Sequence, residues 1–213
     1  MRKNGIDKEM KQIEGGVCAP KGFSANGIHC GIRKNKKKKD LALIVCDRRA
    51  ATACVYTKNL VKGAPILVTQ KHVADGYSRA VIVNSGNANT CNADGIEIAE
   101  GMCALVEKHC GIPAGDVVVA STGVIGQKLS LEPIAAGMEN LVGGLGNASE
   151  NNVFAAEAIM TTDTVSKQLA YEFRLGDVTC KIGAICKGNN AHNKFLCEKR
   201  PTKFSFQMHL NFQ

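Results

Sequence analysis

The sequence lacks a long apolar segment. Its apolar runs, such as Ala80–Val83 and Val117–Ala120, are far shorter than the roughly 18 to 20 residues that a membrane-spanning helix needs. The first 16 residues, MRKNGIDKEMKQIEGG, do not contain the apolar core of a secretory signal. We therefore expect a cytoplasmic protein that does not bind membranes.

Tryptophan is absent, and aromatic residues make up only 5% of the 213 residues. Hydrophobic residues at 45% and charged residues at 22% are ordinary for a folded domain, which excludes global disorder, collagen-like repeats and a coiled coil. Much of the net charge of +8 comes from a lysine-rich run between Arg33 and Lys39. No aromatic side chains interleave these lysines to stack on bases. A solvated loop between two strands is the preferred interpretation. We do not expect a nucleic-acid partner, and a basic nucleic-acid-binding module stays open as the alternative.

None of the ten cysteines forms a C-x-x-C pair, so the spacing has no signature of a zinc site or a thioredoxin-type motif. No metal site is expected. Several cysteines lie in apolar stretches, such as Val45-Cys46 and Met102-Cys103, where cysteine behaves as a small hydrophobic residue. Reduced thiols in a core are therefore expected rather than disulfides.

The apolar periodicity predicts a mixed α/β pattern without a strict βαβ period. Strands are predicted over 41–47, 53–57, 66–69, 79–84 and 116–120, followed by a hairpin of 169–175 and 178–185. Helices are predicted over 96–110, 131–141 and 153–160. The expected fold class is α/β in the α+β sense, a layered mixed sheet with helices. Its expected core includes Leu43, Val45, Val81, Val83, Val118 and Met160.

The character of the sequence changes after Gly188. Residues 189–213 show neither helical nor strand periodicity and hold four of the seven phenylalanines. We expect one domain over residues 1–188 and a divergent, poorly packed tail over residues 189–213.

Three polar motifs stand at the ends of predicted elements. Ser121-Thr122-Gly123 follows a buried strand, where N–H groups and a hydroxyl can stabilise an oxyanion; an ordinary strand-to-helix turn is the alternative. Thr161-Thr162-Asp163-Thr164 ends a helix, and its polar groups can hold a substrate or satisfy the helix end. Lys187, at a strand end, can pair with a substrate carboxylate or be solvated.

Taken together, six segments resemble the ornithine acetyltransferase family, the bifunctional glutamate N-acetyltransferase of arginine biosynthesis. They follow the family's order between about residue 14 and residue 188. The segments are GVCAPKGF at 16–23, GIHCG at 27–31, KKDLALIV at 38–45, VNSGNAN at 83–89, ASTGVIG at 120–126 and AAEAIMTTDT at 155–164.

The resemblance implies transfer of an acetyl group from N-acetylornithine to glutamate, with acetyl-CoA as a second donor in some members and no cofactor. The family's precursor cuts itself at an Ala–Thr bond into α and β chains, which assemble into hetero-oligomers with a layered α/β fold. The freed N-terminal threonine is the nucleophile, and its own α-amine acts as the base. By the same resemblance, Thr122 and Gly123 hold the oxyanion, while Thr161 and Lys187 bind substrate.

The sequence departs from the family after Lys187-Gly188. There the family continues roughly SGMIHPNMATML, with the nucleophile eleven residues past the lysine, whereas this sequence has Glu198 at that position, preceded by Cys197. The one later threonine, Thr202, follows Pro201 in an unrelated context. The segment that would correspond to the family's β chain is also expected to be missing. A frameshift or truncated gene is expected, and the alternative to an active enzyme is a catalytically inactive α-chain fragment with at most substrate binding.

Overall fold

The structure, a computed structural model, describes residues 10–188. Its strands are β1 (Lys11–Ile13), β2 (Phe23–Ile28), β3 (Leu41–Ala51), β4 (Tyr77–Asn84), β5 (Val117–Ser121), β6 (Lys167–Leu175) and β7 (Val178–Cys186). Its helices are α1 (Ala64–His72), α2 (Gly95–Cys110), α3 (Glu132–Gly143) and α4 (Ser149–Ala158). None of the helices in this range is long and apolar enough to cross a membrane. The tail predicted at residues 189–213 lies outside the described residues.

Four strands form a central sheet in the order β2-β3-β4-β5. Strands β2, β3 and β4 pair antiparallel, whereas β4 and β5 run parallel with Asn84 opposite Ser121. Because β4 and β5 run in the same direction, their C-terminal ends meet at one edge of the sheet. Polar residues follow both strands at that edge.

The central sheet is covered on both faces. Leu41 and Leu43 of β3 pack in a core with side chains of α1, α2 and α3, while Ala42 and Ile44 pack in a second core with α4 and Cys18. A strand that is buried on both faces has no polar side to show. This explains why residues 41–46 form an uninterrupted apolar run rather than an alternating one.

Three strands form a second sheet in the order β1-β6-β7, with antiparallel pairing throughout. One face of this sheet lies against the short helical turn Gly16–Cys18. A Cβ atom on Gly183 of β7 would lie 1.8 Å from the carbonyl oxygen of Gly16, so only glycine fits at this close approach. Opposite Gly183 on β6, Ala170 is buried.

The mixed α+β fold is confirmed, and most predicted elements are present. The strand predicted over 66–69 is wrong, because these residues belong to helix α1. Pro65 lies in the first turn of α1, where proline favours a helix start, and a four-residue apolar run does not distinguish the two structures. The strand predicted over 53–57 is also wrong, since this segment has no regular structure. Strand β2 was not predicted.

The predicted core is confirmed for Leu43, Val81 and Val118, which are buried. Val45 and Val83 are only partly buried and pack against the edges of the two cores. The prediction that Met160 is a core residue is wrong, because Met160 lies in the loop after α4 and is only half-buried.

The cysteines behave as apolar residues. The nine cysteines between residues 10 and 188 form no disulfide with one another. Cys18 and Cys103 are buried in the two cores, and burial raises the pKa of the Cys103 thiol to about 12. A thiol with so high a pKa is a poor nucleophile at neutral pH.

Candidate functional site

The candidate site begins where the parallel strands β4 and β5 end. The backbone N–H of Thr122 donates to the carbonyl oxygen of Asn84 at 2.9 Å, and Nδ2 of Asn84 donates to Oγ of Ser121, also at 2.9 Å. The two strand ends are thereby fixed side by side. In α/β folds, the C-terminal ends of parallel strands are a common place for ligands to bind.

Asn84 also folds the loop that follows β4. Its Oδ1 accepts hydrogen bonds from the backbone N–H groups of Gly86 and Asn87, at 2.9 and 3.0 Å. The loop is then tied to the turn after β5, because the N–H of Ala88 donates to the carbonyl of Val124 at 2.9 Å. The two loops therefore form one rigid platform.

Gly123 is the position in this platform that tolerates no side chain. Its φ angle is +127°, a conformation that residues with a Cβ rarely adopt. A Cβ here would lie 2.6 Å from the carbonyl carbon of Gly86 and 2.8 Å from the carbonyl oxygen of Ser85. The glycine in the Ser121-Thr122-Gly123 motif is thus required by the close approach of the two loops.

Lys187 reaches Thr122 from the second sheet. Its Nζ donates to Oγ1 of Thr122 at 2.6 Å, and the lysine is half-buried. Burial lowers the pKa of Lys187, an effect opposed by the nearby charge of Asp163. Because the hydroxyl oxygen accepts from Lys187 and the Thr122 N–H is used by Asn84, the hydroxyl proton of Thr122 is the group it can donate to a ligand.

Asp163 connects the loop after α4 to the end of β7. Its buried carboxylate accepts hydrogen bonds from Nζ of Lys167 at 2.6 Å, from the N–H of Gly188 at 2.7 Å and from the N–H of Thr161 at 3.2 Å. Burial alone would raise the pKa of Asp163, but these hydrogen bonds hold it below its usual value. Asp163 thus fixes two candidate residues at once, Thr161 directly and Lys187 through its neighbour Gly188.

Arg33 joins the two loops from a third direction. Its Nη2 donates to the carbonyl oxygens of Ser85 and Met160, and also to Oγ of Ser85 at 2.9 Å. The Ser85 loop is therefore held against the residue that precedes Thr161. The interpretation of the whole basic run as a solvated loop is wrong for Arg33, because its guanidinium is hydrogen-bonded to the two loops that form the site.

The rest of the basic run behaves as expected. Lys34, Lys36, Lys37 and Lys38 are exposed on the loop between β2 and β3. Lys39 differs, because its Nζ lies 2.7 Å from Oε2 of Glu157 on α4. A surface ion pair of this kind contributes little to stability.

The structure brings the predicted site residues into one region. Thr122 and Lys187 are in direct contact, and Gly123 is next to them in the chain. Thr161 is linked to them through Asp163 and through the Arg33 contact to Met160. Their roles toward a ligand remain predictions. Chemically, a half-buried ammonium beside a hydroxyl and a backbone N–H forms a receptor for anionic groups.

The sequence analysis missed two residues that hold this region together, Arg33 and Asn84. It also missed that Asp163 fixes the positions of neighbouring site residues. Asn84 had a signal, because a polar residue ends an apolar strand immediately before Ser-Gly-Asn. Asp163 had one too, as the one carboxylate among three threonines. Arg33 had none, because the run of lysines that follows it hides its different environment.

Comparison with known proteins identifies relatives over most of the chain. A model described as the ArgJ family matches residues 24–192. The chain is 43% identical over 181 residues to the chloroplastic arginine biosynthesis bifunctional protein ArgJ of Physcomitrium patens, covering 84% of this chain and 35% of that relative. The chain thus spans less than half the length of the curated relatives it matches.

Two crystal structures have the same fold. The arginine biosynthesis bifunctional protein ArgJ of Bacillus halodurans superposes with a TM-score of 0.80 at 39% identity, covering 86% of this chain and 95% of that chain. The ornithine acetyltransferase of Mycobacterium tuberculosis, in complex with ornithine, also has a TM-score of 0.80, at 34% identity, covering 86% of this chain and 97% of that chain. The similarity therefore extends to sequence and three-dimensional structure together.

Proposed function

Since the chain belongs to the ArgJ family, we propose that its candidate site binds N-acetylornithine and glutamate and supports acetyl transfer between them in arginine biosynthesis. The observation that carries this proposal is the contact of 2.6 Å between Nζ of Lys187 and Oγ1 of Thr122. It places a half-buried positive charge beside a hydroxyl donor at the end of a parallel strand pair. Ornithine, the deacetylated donor, is the ligand in the Mycobacterium tuberculosis relative.

Lys187 is proposed to pair with a substrate carboxylate, which both N-acetylornithine and glutamate possess. Burial disfavours an isolated ammonium and lowers the pKa of Lys187. A bound carboxylate would restore the balance, because a charge-assisted hydrogen bond is strong in a partly desolvated site. Thr161 is proposed to contact the same substrate, held in place by the bond from its N–H to Asp163.

Thr122 and Gly123 are proposed to stabilise the oxyanion that forms when the acetyl carbonyl is attacked. Thr122 would donate its hydroxyl proton, because its backbone N–H is already bonded to Asn84. Gly123 would donate its backbone N–H from a turn whose conformation is fixed by the loop after β4. Preorganised donors of this kind lower the barrier because they do not reorient during the reaction.

The nucleophile is proposed to come from a β chain, as in the family, so that the complete enzyme is a hetero-oligomer. In this sequence, Glu198 stands where the family has its nucleophilic threonine. This observation favours a second candidate function, in which the chain alone binds substrate without transferring acetyl groups. The proposed reaction uses an acetyl-threonine and needs no cofactor; acetyl-CoA is proposed only as a second acetyl donor.

Calorimetric titration of the full chain with N-acetylornithine tests the binding. Lys187→Met removes the proposed charge at similar length, and Lys181→Met is the matched control, since Lys181 lies in β7, the strand that precedes Lys187, with its side chain 43% exposed. We expect Lys187→Met to weaken binding by at least about tenfold and Lys181→Met to leave it within about twofold. No binding by the unsubstituted chain, or equal losses in both variants, would contradict the proposal.

A further inference from the structure

The candidate site holds two positive charges that form no ion pair among the described residues. Lys167 is paired with Asp163 at 2.6 Å, so its charge is compensated. Arg33 and Lys187 instead donate to uncharged oxygens, those of carbonyl and hydroxyl groups. A site with two uncompensated cations suits a ligand with two carboxylates.

The carboxylates nearest to Arg33 are already occupied. Oδ1 of Asp40 accepts from the N–H of Cys30 at 2.7 Å, and Oδ2 accepts from the backbone N–H of Arg33 at 2.8 Å. Asp40 therefore holds the backbone of Arg33 and not its guanidinium. Burial lowers the pKa of Arg33, an effect opposed by the charges of Asp40 and Asp163. A partly desolvated guanidinium of this kind gains from a further anion.

The guanidinium of Arg33 lies beside the turn that carries the proposed oxyanion donors. Its Nη2 donates to the carbonyl oxygen of Ser85, and a Cβ built on Gly123 would lie 2.8 Å from that same oxygen. Nη2 also reaches the carbonyl oxygen of Met160, in the loop after α4. Burial lowers the pKa of Lys187, and the charge of Arg33 adds to this effect. The two cations therefore share one environment.

One end of the Arg33 guanidinium is free to bind a ligand. Nε and Nη2 are bonded to the carbonyl oxygens of Ser85 and Met160, whereas Nη1 donates to no group among residues 10–188. The enclosed polar side-chain atoms of this range that lack a partner belong to Tyr56 and Asn89, so Nη1 is accessible. Because the rest of the side chain is fixed, an incoming carboxylate meets a preorganised donor.

We propose that Arg33 binds the side-chain carboxylate of glutamate and of its acetylated product, while Lys187 binds the α-carboxylate; this inference rests on the proposed function. Arg33 then determines specificity for the acetyl acceptor. An amide in place of the second carboxylate has no charge to pair with the guanidinium, so the site distinguishes glutamate from glutamine. The side-chain ammonium of N-acetylornithine is expected to lie away from Arg33.

The test compares two ligands of the same length by calorimetry on the full chain. N-acetylglutamate has two carboxylates, and N-acetylglutamine has one. We expect the unsubstituted chain to bind N-acetylglutamate at least about tenfold more tightly, because hydrogen bonds to charged groups are strong. Arg33→Gln should reduce this preference to within about twofold. A purely structural role for Arg33 would weaken both ligands by the same factor and leave the preference unchanged.

Two control variants separate Arg33 from other cations. Arg79 is also half-buried, and its Nε donates to the carbonyl oxygen of Cys46 at 3.2 Å, near the end of β4 away from the site. Arg79→Gln should therefore leave the preference within about twofold of that of the unsubstituted chain. Lys187→Met should weaken both ligands by the same factor, because both have an α-carboxylate.

A second measurement needs no substitution that alters the site. In side-chain NMR spectra of the unsubstituted chain, with the signals assigned by comparison with Arg33→Lys, N-acetylglutamate should shift the Nη1 signal of Arg33 and N-acetylglutamine should not. This measurement decides the question if Arg33→Gln does not fold. Equal shifts with both ligands, or no shift with either, would contradict the proposed contact.

The calorimetric results that would overturn the inference are equal affinities in the unsubstituted chain, an unchanged preference in folded Arg33→Gln, or loss of the preference in either control variant. Titration with N-acetylornithine separates this inference from the proposed function. Binding of N-acetylornithine with no preference between the other two ligands contradicts the role of Arg33 alone. A preference that Arg33→Gln removes, without N-acetylornithine binding, supports Arg33 and contradicts the proposed donor. Binding of none of the three contradicts both.

Discussion

The central sheet and the second sheet use the same kind of side chain for different purposes. Ile82 in β4 is fully buried between two layers, whereas Ile182 in β7 is 44% exposed on the outer face of the β6–β7 hairpin. In the central sheet, helices on both faces remove apolar residues from water, which is the main driving force of folding. The comparison indicates that the central sheet forms a complete layered core, while the second sheet leaves apolar side chains of one face exposed among the described residues.

The candidate site lies where these two regions meet. Thr122 follows β5 of the central sheet, and Lys187 follows β7 of the second. Their contact at 2.6 Å joins the two sheets at the candidate site.

The largest effect concerns acetyl transfer. We expect the full chain, incubated with N-acetylornithine and glutamate, to form no N-acetylglutamate and to leave itself uncut. Both sheets contribute residues that we propose bind substrate, but covalent transfer needs a nucleophile beside a base. Loss of such a nucleophile costs on the order of a million-fold in turnover. Mass spectrometry is the measurement. N-acetylglutamate above background, or cleavage near residues 197–198, would contradict this prediction.

The second prediction compares the same substitution in the two sheets. Ile82→Ala should lower the free energy of unfolding by about 3 kcal/mol, because it leaves a cavity in the core. Ile182→Ala should lower it by less than about 1 kcal/mol, because the side chain is already in contact with water. Urea unfolding measures both. If both substitutions lower the free energy of unfolding equally, the side chain of Ile182 is covered within the chain itself. The contrast between the two sheets would then be wrong.

The third prediction concerns the turn after β5. Gly123→Ala should lower the free energy of unfolding by about 2 kcal/mol, because it adds a Cβ against Gly86 at an unfavourable φ. Gly126→Ala is the control: its φ is also positive, at +79°, but nothing lies within 4 Å of the added Cβ, so about 1 kcal/mol is expected. Affinity for N-acetylornithine should fall only in Gly123→Ala. Equal effects on stability and affinity would show that the contact with Gly86 is unimportant.

An element could be predicted from the sequence when its own residues determine its structure, and not when packing against distant residues decides it. Helix α2 was predictable because apolar residues recur on one face over four turns and Gly111 ends it. Helix α1 was not, since its short apolar run Ile66–Thr69 fits a strand equally well. Only its packing against β5 and α2 decides between the two.

The site shows the same limit. Thr122, Gly123, Thr161 and Lys187 were reached by resemblance, because distant segments converge on them only in the fold. Arg33 could not be found, since two of its acceptors are the backbone carbonyls of Ser85 and Met160, and every residue has a backbone carbonyl. The alternation of apolar and polar residues in β6 can be seen in the sequence. It does not show that the apolar face is exposed, because alternation alone does not say which face is buried.

The smallest predicted effect is at Asp163, whose carboxylate ties the loop after α4 to the end of β7 and so joins the two regions. Asp163→Asn keeps an acceptor oxygen but removes the charge beside Lys167, so the free energy of unfolding should fall by about 1 kcal/mol at pH 7. The pKa of Asp163 in the folded chain lies below its ordinary value of 3.8. The contribution of the Asp163 carboxylate to the free energy of unfolding is therefore fully present above pH 3.8 and lost as pH falls through the folded pKa.

Urea unfolding between pH 7 and pH 3 should show the free energies of unfolding of the wild type and Asp163→Asn converging at the acid end. Asp177→Asn, in the exposed hairpin turn, is the control and should change stability by less than about 0.5 kcal/mol. A difference between wild type and Asp163→Asn that stays constant down to the lowest pH would mean that the carboxylate charge does not hold the two regions together.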